Sequence, residues 1–415
     1  LGSGIYFEYI HPVEGGMGFY IMSAVVAFMF GLVVAFIQNR DLDFDEKIKI
    51  CATSIGDENI TTMLFIFLMA GAFSGVAQGA GGATSAANLL LSIIPADFAI
   101  VGLFVIACIV SMAMGTSCGT ISVIVPVAMN VALGADLNLP LCVGAVIGGS
   151  MFGDNLSFIS DTTIAATKTQ GCLMSDKFKV NLRIVAPAAL TVAAIYVIMG
   201  QGASFAQPAG DINWVRLIPY ILVIGLALSG VNVVEVLAVG IVVNAIIGFS
   251  QGTLDWTGWL GGIGKGIAGM GDLIIVTMLS GGMLELIRHN GGIDYLVYLL
   301  TRRIGGKRGA ELSIAALVSL ANVCTANNTI AILTTGGIAK DITSRFGLDP
   351  RKTASILDTF SCVIQGLLPY GAQMLMASGL AGISSLSIIK CLFYPYALGI
   401  FAVMAIMLRL PRKYS

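Results

Sequence analysis

The sequence predicts an all-α polytopic membrane protein, made of inverted-topology repeats with broken (discontinuous) transmembrane helices. Composition is the first reason: 57% of the 415 residues are hydrophobic and only 11% are charged, which is unlike a soluble domain. Secondly, apolar stretches long enough to span a bilayer recur along the whole chain. Finally, polar interruptions occur inside these stretches and recur in the second half of the chain.

Composition also limits the partners and cofactors. The formal net charge of -1 argues against a nucleic-acid partner. The 8 cysteines stand singly, without a Cys-x-x-Cys motif. We expect them to pack between helices rather than to hold a metal or form disulfides. We therefore expect no cofactor, and the lipid bilayer as the surrounding partner; the sequence leaves a homodimer open.

The chain divides into two predicted repeats with an offset of about 210 residues, an internal similarity that indicates architecture. Pro140 aligns with Pro350, and the glycine pair beginning at Gly81 aligns with the pair at Gly291. The helix after Ile212 has no partner in the first half, so we infer a missing N-terminal span. The predicted boundaries are a truncated N-terminal segment (1–16), a first transmembrane repeat (17–200), a linker and connecting helix (201–230), a second transmembrane repeat (231–409) and a basic cytoplasmic tail (410–415).

Equivalent loops of the two repeats differ in basic charge. Loops 79–96 and 134–140 contain no Lys or Arg, whereas their equivalents at 302–308 and 340–352 contain several. By the positive-inside rule the first pair is predicted outside, and the second pair is predicted in the cytoplasm with the basic loop 168–183 and the C-terminus. Opposite sides for equivalent loops indicate inverted repeats, which place a substrate site at the bilayer midplane.

A polar insertion with two carboxylates interrupts one predicted span. It reads Gly-Asp-Asn-Leu-Ser-Phe-Ile-Ser-Asp-Thr-Thr from Gly153 to Thr163 and follows an apolar run. Intramembrane carboxylates are costly and predict a functional site, so we expect Asp154 and Asp161 to bind Na⁺ or H⁺. In an unbroken helix they would lie about 10 Å apart; an unwound segment would let them approach each other. The alternative is that one aspartate pairs with a buried Arg or Lys, although we expect almost no basic residue in the hydrophobic core.

Neutral oxygens accompany the two aspartates, and hard cations favour such ligands. The primary set adds Asn155, Ser157, Thr162 and Thr163. Secondary candidates lie in the other breaks and crossings, and they are Thr116, Ser117, Thr120, Asn327, Asn328, Thr329, Asp358 and Gln373. Among the secondary candidates, Asp358 is predicted to be a second-rank proton carrier, and Gln373 is aligned with Thr163. Hydrogen bonding between helices is the competing explanation for the neutral residues.

The insertion, together with the sequence Thr-Ser-Cys-Gly-Thr that begins at Thr116, resembles the NhaC-type sodium/proton antiporter family of bacterial membranes. The similarity in organisation runs from about Met17 to Leu408. One departure is Phe158, where the family often has proline. The resemblance implies a multi-pass protein of the bacterial plasma (inner) membrane, and it implicates Asp154, Asn155, Ser157, Asp161, Thr162 and Thr163.

The leading interpretation is a secondary active transporter, a sodium/proton antiporter in which Na⁺ and H⁺ compete for intramembrane carboxylates with alternating access. The alternative is a sodium- or proton-coupled exchanger of a small organic acid or amino acid, which Asn327, Asn328 and Gln373 would contact. We do not expect an enzyme. An intramembrane hydrolase using Ser117 or Cys118 with His289 is disfavoured, because no sequence feature places a base beside the nucleophile.

Overall fold

The computed structural model describes residues 24–38, 42–157, 160–202, 212–229, 231–292 and 305–411, together with residues 295 and 298. These residues are helical almost throughout, and no strand occurs in them. Their α-helices are α1 (Ala24–Gln38), α2 (Phe44–Ile55), α3 (Glu58–Ala80), α4 (Gly82–Ile93), α5 (Ala99–Met114), α6 (Ser117–Gly134), α7 (Leu139–Leu156), α8 (Asp161–Gln170), α9 (Met174–Gly200), α10 (Trp214–Leu228), α11 (Val233–Ser250), α12 (Trp256–Gly269), α13 (Gly271–His289), α14 (Gly306–Thr325), α15 (Asn328–Phe346), α16 (Pro350–Leu367), α17 (Ala372–Ala381), α18 (Ser385–Lys390) and α19 (Phe393–Met407). The predicted helical fold is confirmed.

Four single helices among the described residues are long and apolar enough to cross a bilayer. They span Ile60–Ala80, Ser117–Gly134, Leu139–Leu156 and Met174–Gly200. Shorter apolar helices of 10–17 residues include α10 and α19. Long apolar helices interspersed with short ones are consistent with a multi-pass membrane protein.

The region 79–96, predicted to be a loop, is largely helical. Helix α4 occupies residues Gly82–Ile93 after Gly81, which has a φ of 74°. The prediction of a loop was wrong because alanine and leucine, which favour helices, outweigh the glycine and serine content. Within the segment 79–96, Gly81 is the glycine that needs the left-handed conformation, which glycine adopts easily.

Helix boundaries in the two halves correspond closely. Helices α6, α7 and α8 begin 211 residues before α15, α16 and α17 (for example 328 less 117). The turn before α6 has Gly115 at a φ of 68°, and the matching turn has Ala326 at a φ of 50°. The offset of 211 residues between helix starts is one more than the offset that aligns Gln373 with Thr163. By the helix starts, Gln373 corresponds to Thr162.

The chain forms two packing units, and the candidate site lies within one of them. The first unit takes the described residues within 1–64 and 271–295. In it, α1, α2 and α13 pack together around Ala35, Cys51 and Leu286. The second unit takes the described residues within 65–270 and 296–415. The predicted segment 1–16 and the far end of the tail lie outside the described residues.

Glycines bring the central helices of the second unit close together. Helix α7 packs along α5, and a Cβ atom on Gly149 or Gly153 would meet the backbone of α5 at Phe104 or Ser111. Small residues at such interfaces let helix backbones approach in a membrane protein. The close approach places the end of α7 beside the break between α5 and α6.

Candidate functional site

The structure breaks the chain at each polar interruption predicted from the sequence. Helix α7 ends at Leu156, and α8 begins at Asp161. In the other half, α16 ends at Leu367 and α17 begins at Ala372. The shorter interruptions separate α5 from α6 and α14 from α15. Asp161 is the first residue of α8, but its side chain lies outside the described part of the structure.

Asp154 is buried near the end of α7, with 4% of its surface exposed. Its Oδ1 accepts a hydrogen bond of 3.1 Å from the backbone N–H of Ser117, at the start of α6. Thr116 caps the same helix through its side chain. Backbone N–H groups and the helix dipole at a helix N-terminus favour a negative group. The carboxylate of Asp154 therefore faces the positive end of α6.

Hydroxyl groups line the break between α7 and α8. Ser157 Oγ donates to the carbonyl of Met112 at 2.8 Å, and Thr163 Oγ1 donates to the carbonyl of Ser157 at 2.9 Å. Ser160 Oγ and Thr162 Oγ1 lie 2.8 Å apart. A hydroxyl that donates its hydrogen keeps oxygen lone pairs that can accept from a donor or bind a cation. The break is thus held by its own polar groups and remains a source of oxygen ligands.

Lys177 overturns the prediction that the core has almost no basic residue to pair with an aspartate. The sequence predicts a cytoplasmic basic loop here, but Lys177 lies in α9 and is 0% exposed. Its Nζ is 2.9 Å from Asp358 Oδ2, and it donates to Thr163 Oγ1 at 2.7 Å and to the carbonyl of Asn155 at 3.0 Å. The sequence assignment failed because the polar residues around Lys177 are typical of a loop, whereas the charge is satisfied by distant residues.

Asn181 extends the contacts of Lys177 by one helical turn. Its Nδ2 donates to Asp358 Oδ2 at 2.7 Å and to the carbonyl of Asn155 at 2.9 Å. Residues four apart on a helix share a face, which explains why Lys177 and Asn181 reach the same two acceptors. The side chain of Asn155 donates to the carbonyl of Met151 within α7. Asp358 is therefore joined directly to the break by two residues of α9.

A chain of amides connects the two halves of the second unit. Gln373 Nε2 donates to Ser117 Oγ at 3.0 Å, and its Oε1 accepts from Gln365 Nε2 at 2.7 Å. Gln365 Nε2 is also 2.9 Å from the carbonyl of Ala326. Since Ser117 also contacts Asp154, this chain runs from the carboxylate to the break between α14 and α15.

The remaining secondary candidates mostly serve local structure. Thr120 Oγ1 donates to the carbonyl of Thr116 within its own turn, and Asn327 caps α15 by accepting from Ile330 N. Asn328 Nδ2 is 3.8 Å from the sulfur of Cys362, and its Oδ1 accepts from Thr329 N. These contacts support the explanation that these polar residues form hydrogen bonds between helices or cap helix ends. Of the secondary candidates, Ser117 contacts both Asp154 and Gln373, and Asp358 contacts Lys177 and Asn181 beside the break.

Sequence reasoning missed three residues of this site. Lys177 and Asn181 had a usable signal, since a lysine and an asparagine four residues apart precede an apolar run in α9. Gln365 also had a usable signal, because it lies 211 residues after Asp154 (365 less 154). This is the offset between the helix starts of the two halves, so Gln365 is the equivalent of Asp154 in the second half. Lys352, counted as a basic loop residue, is also buried; its Nζ is 2.9 Å from Glu311 Oε1.

Several antiporters are similar to this chain in sequence. The chain is similar over 316 residues to a malate-2H(+)/Na(+)-lactate antiporter of Bacillus subtilis, with 25% identity covering 68% of this chain and 67% of the relative. It is 25% identical to the Na(+)/H(+) antiporter NhaC of Alkalihalophilus pseudofirmus, covering 73% of this chain and 72% of the relative. It is 22% identical to the arginine/ornithine antiporter ArcD of Halobacterium salinarum, covering 69% of this chain and 66% of the relative.

A family-level match covers most of the sequence. Residues 17–201 and 214–410 match the family described as the Na+/H+ antiporter family. The resemblance to NhaC-type antiporters is confirmed by this match and by the relatives above. Membership implies a multi-pass membrane transporter of the antiporter class rather than an enzyme. The chain belongs to the Na+/H+ antiporter family.

Proposed function

We propose that this protein exchanges Na⁺ for H⁺ by letting both ions compete for Asp154, with Asp161 as the second carboxylate. The observation that supports this most directly is the position of Asp154, which is buried at the end of a broken helix and faces the N-terminus of α6. A carboxylate there binds either one proton or a cation held by further oxygens. Each bound proton removes a negative charge from the sodium ligands, so the two ions exclude one another.

The composition of the site favours a small monovalent cation. Within the described residues there is no group of three or more His, Cys, Asp or Glu that could hold a metal ion. A cation at the break would therefore use one or two carboxylates and neutral oxygens, such as those of Ser117, Ser157 and Thr162. Hard cations accept such oxygen ligands. Sodium would be the transported substrate and not a resident cofactor.

Alternating access would follow from inverted repeats around this site. The matching helix starts in the two halves support a repeat, and the unequal basic charge of the loops supports its inversion. We infer that one half rocks against the other and opens the break to each side in turn. The same argument orients the protein in a bacterial inner membrane with its C-terminus in the cytoplasm.

Exchange of an organic acid or amino acid is the second candidate function. The amide chain from Gln373 to Gln365 offers hydrogen-bonding groups beyond those that sodium needs. Relatives named as lactate and arginine/ornithine antiporters support this alternative. In this mechanism sodium or protons at Asp154 would drive the exchange of an organic substrate.

A proton-release measurement tests the competition mechanism. Purified protein is titrated with NaCl in buffers of differing ionisation enthalpy, and calorimetry gives the protons released per sodium. Because the linkage is mutual, sodium should release protons and acid should weaken sodium binding. Zero release across the whole pH range in which sodium binds would exclude competition. Flux assays with malate, lactate, arginine and ornithine would then separate the two candidate functions.

A further inference from the structure

The ammonium group of Lys177 is surrounded by oxygens as a bound cation would be. A lysine ammonium has three hydrogens to donate, and three acceptors match them: the carbonyl of Asn155, Thr163 Oγ1 and Asp358 Oδ2, at 3.0, 2.7 and 2.9 Å from Nζ. Two of these oxygens belong to residues predicted as sodium ligands. The ammonium of Lys177 therefore occupies the carbonyl of Asn155 and the hydroxyl of Thr163, two oxygens that a sodium ion would otherwise use.

Further buried oxygens lie on the same residues. Within the described chain, Oδ1 atoms of Asn155, Asn181 and Asp358 have no hydrogen-bond partner, although all three residues are 0% exposed. Buried acceptors without a partner are uncommon and call for a specific reason. They belong to residues that already hold or flank the ammonium, so this region is richer in acceptors than one lysine requires.

A simple structural ion pair is the competing explanation, and the chain contains one for comparison. Lys352 and Glu311 also form a buried pair with 2.9 Å between nitrogen and oxygen. That pair joins α16 to α14, and neither residue belongs to the break. The Lys177 pair differs because its ammonium also binds the carbonyl at the end of α7 and a hydroxyl of α8.

We propose that Lys177 determines how many sodium ions the protein binds. Its ammonium fills one of two neighbouring cation positions at the break, and leaves the position at Asp154 for sodium. If the ammonium is removed while Asp358 remains, the carboxylate loses its counter-charge in a buried place, where an unpaired charge is strongly unfavourable. Sodium then replaces the ammonium at Thr163, Asn155 and Asp358. This inference rests on the proposed sodium site at Asp154.

The test counts sodium ions bound to the purified protein by equilibrium dialysis with radioactive sodium at alkaline pH. Lys177→Met and Lys177→Gln are compared with the wild-type protein. Each variant is expected to bind one more sodium ion per chain than the wild type. Lys177→Arg, which keeps the charge, should bind the wild-type number. An unchanged count in both uncharged variants would overturn the inference. Recovery of folded Lys177→Met or Lys177→Gln in NaCl but not in choline chloride would support it.

Two controls separate this inference from other effects. In Lys177→Met/Asp358→Asn the sodium count should return to the wild-type number, because the second position has lost its carboxylate; a retained extra sodium would contradict the proposal. Lys352→Met should not gain a sodium. If it gains one, any unpaired buried carboxylate suffices, and the special role of the break is excluded. Wild-type protein that binds no sodium would refute the proposed function, whereas sodium binding to wild type without a gain in the variants would refute this inference alone.

Discussion

Lys177 and Asp358 form a fully buried ion pair, with 2.9 Å between Nζ and Oδ2 and no exposed surface on either side chain. The pair joins α9 of the first half to α16 of the second. Lys177 also binds Thr163 and the carbonyl of Asn155, so it fixes both sides of the break between α7 and α8. This geometry places Asp358 against a positive charge at the break, and its role as a second-rank proton carrier stays a prediction.

Breaking this pair from one side should be costly. In a sodium-free potassium buffer, Lys177→Met is expected to lower the free energy of unfolding by about 3–5 kcal/mol, because it leaves an uncompensated buried carboxylate. Lys177→Met/Asp358→Asn should lose less than the single variant, because it removes both charges. Thermal and denaturant unfolding in detergent measures both. A double variant that is less stable than the single one would show that the pair contributes in another way.

The contact between α5 and α7 should tolerate no added methyl group at Gly153. A Cβ there would overlap the side chain and backbone of Ser111, and overpacking of this kind costs about 1–3 kcal/mol. We expect Gly153→Ala to unfold at lower temperature than the wild type. Gly264→Ala is the matched control on α12, since its added Cβ meets no atom within 4 Å, and it should be neutral or slightly stabilising. Equal losses in both variants would contradict the packing argument.

Asp349 should stabilise α16 in a pH-dependent manner. Burial raises the pKa of this carboxyl, but hydrogen bonds and charge from Arg351 outweigh burial and hold the pKa below its ordinary value of 3.8. The contribution is therefore present above pH 3.8 and is lost as pH falls through the lower, folded-state pKa. Asp349→Ala should cost about 1 kcal/mol as a lost helix cap. The free energy of unfolding of the wild type and of Asp349→Ala is measured across this pH range. If the stability difference between them grows as the pH falls, the prediction has the wrong sign.

The predicted inverted topology can be tested at two equivalent turns. Asp136 follows α6 and Gly347 follows α15, 211 residues apart (347 less 136), and both have a positive φ, of 49° and 61°. In a background without the native cysteines, Asp136→Cys should react with an impermeant thiol reagent from outside the cell. Ser344→Cys, near the second turn, should react only from the cytoplasm. Labelling of both from one side would rule out the inversion.

Local polar patterns were sufficient to predict the helical fold and its breaks. Asn138 and Asp349, for example, precede prolines and cap α7 and α16, and such signals can be read within a few residues. The misassigned loop at 79–96 shows the limit of such patterns, because glycine and serine content alone does not distinguish a loop from a helix that packs closely. Breaks were also predictable, since glycines and hydroxyl residues cluster there.

The buried charges could not be predicted in the same way. Whether Lys177 lies in a cytoplasmic loop or in the core depends on Asp358, which is 181 positions further along the chain (358 less 177). Lys352 depends similarly on Glu311. A charged residue is buried only when a partner offsets its desolvation, and a single sequence does not reveal distant partners. Asp154 was predictable because its own segment is apolar on one side and polar on the other.

Sodium-dependent proton flux in proteoliposomes tests the central role of Asp154 most directly. Wild-type protein, Asp154→Asn and Asp136→Asn are reconstituted at equal density, and the internal pH is followed after addition of NaCl. Asp136 is an exposed aspartate in the turn after α6, and asparagine tolerates its positive φ, so this variant should transport like the wild type. We expect Asp154→Asn to lose at least about 90% of the flux, which corresponds to roughly 1.4 kcal/mol or more in the transport barrier. Sodium-dependent flux at the wild-type rate in Asp154→Asn would contradict the account.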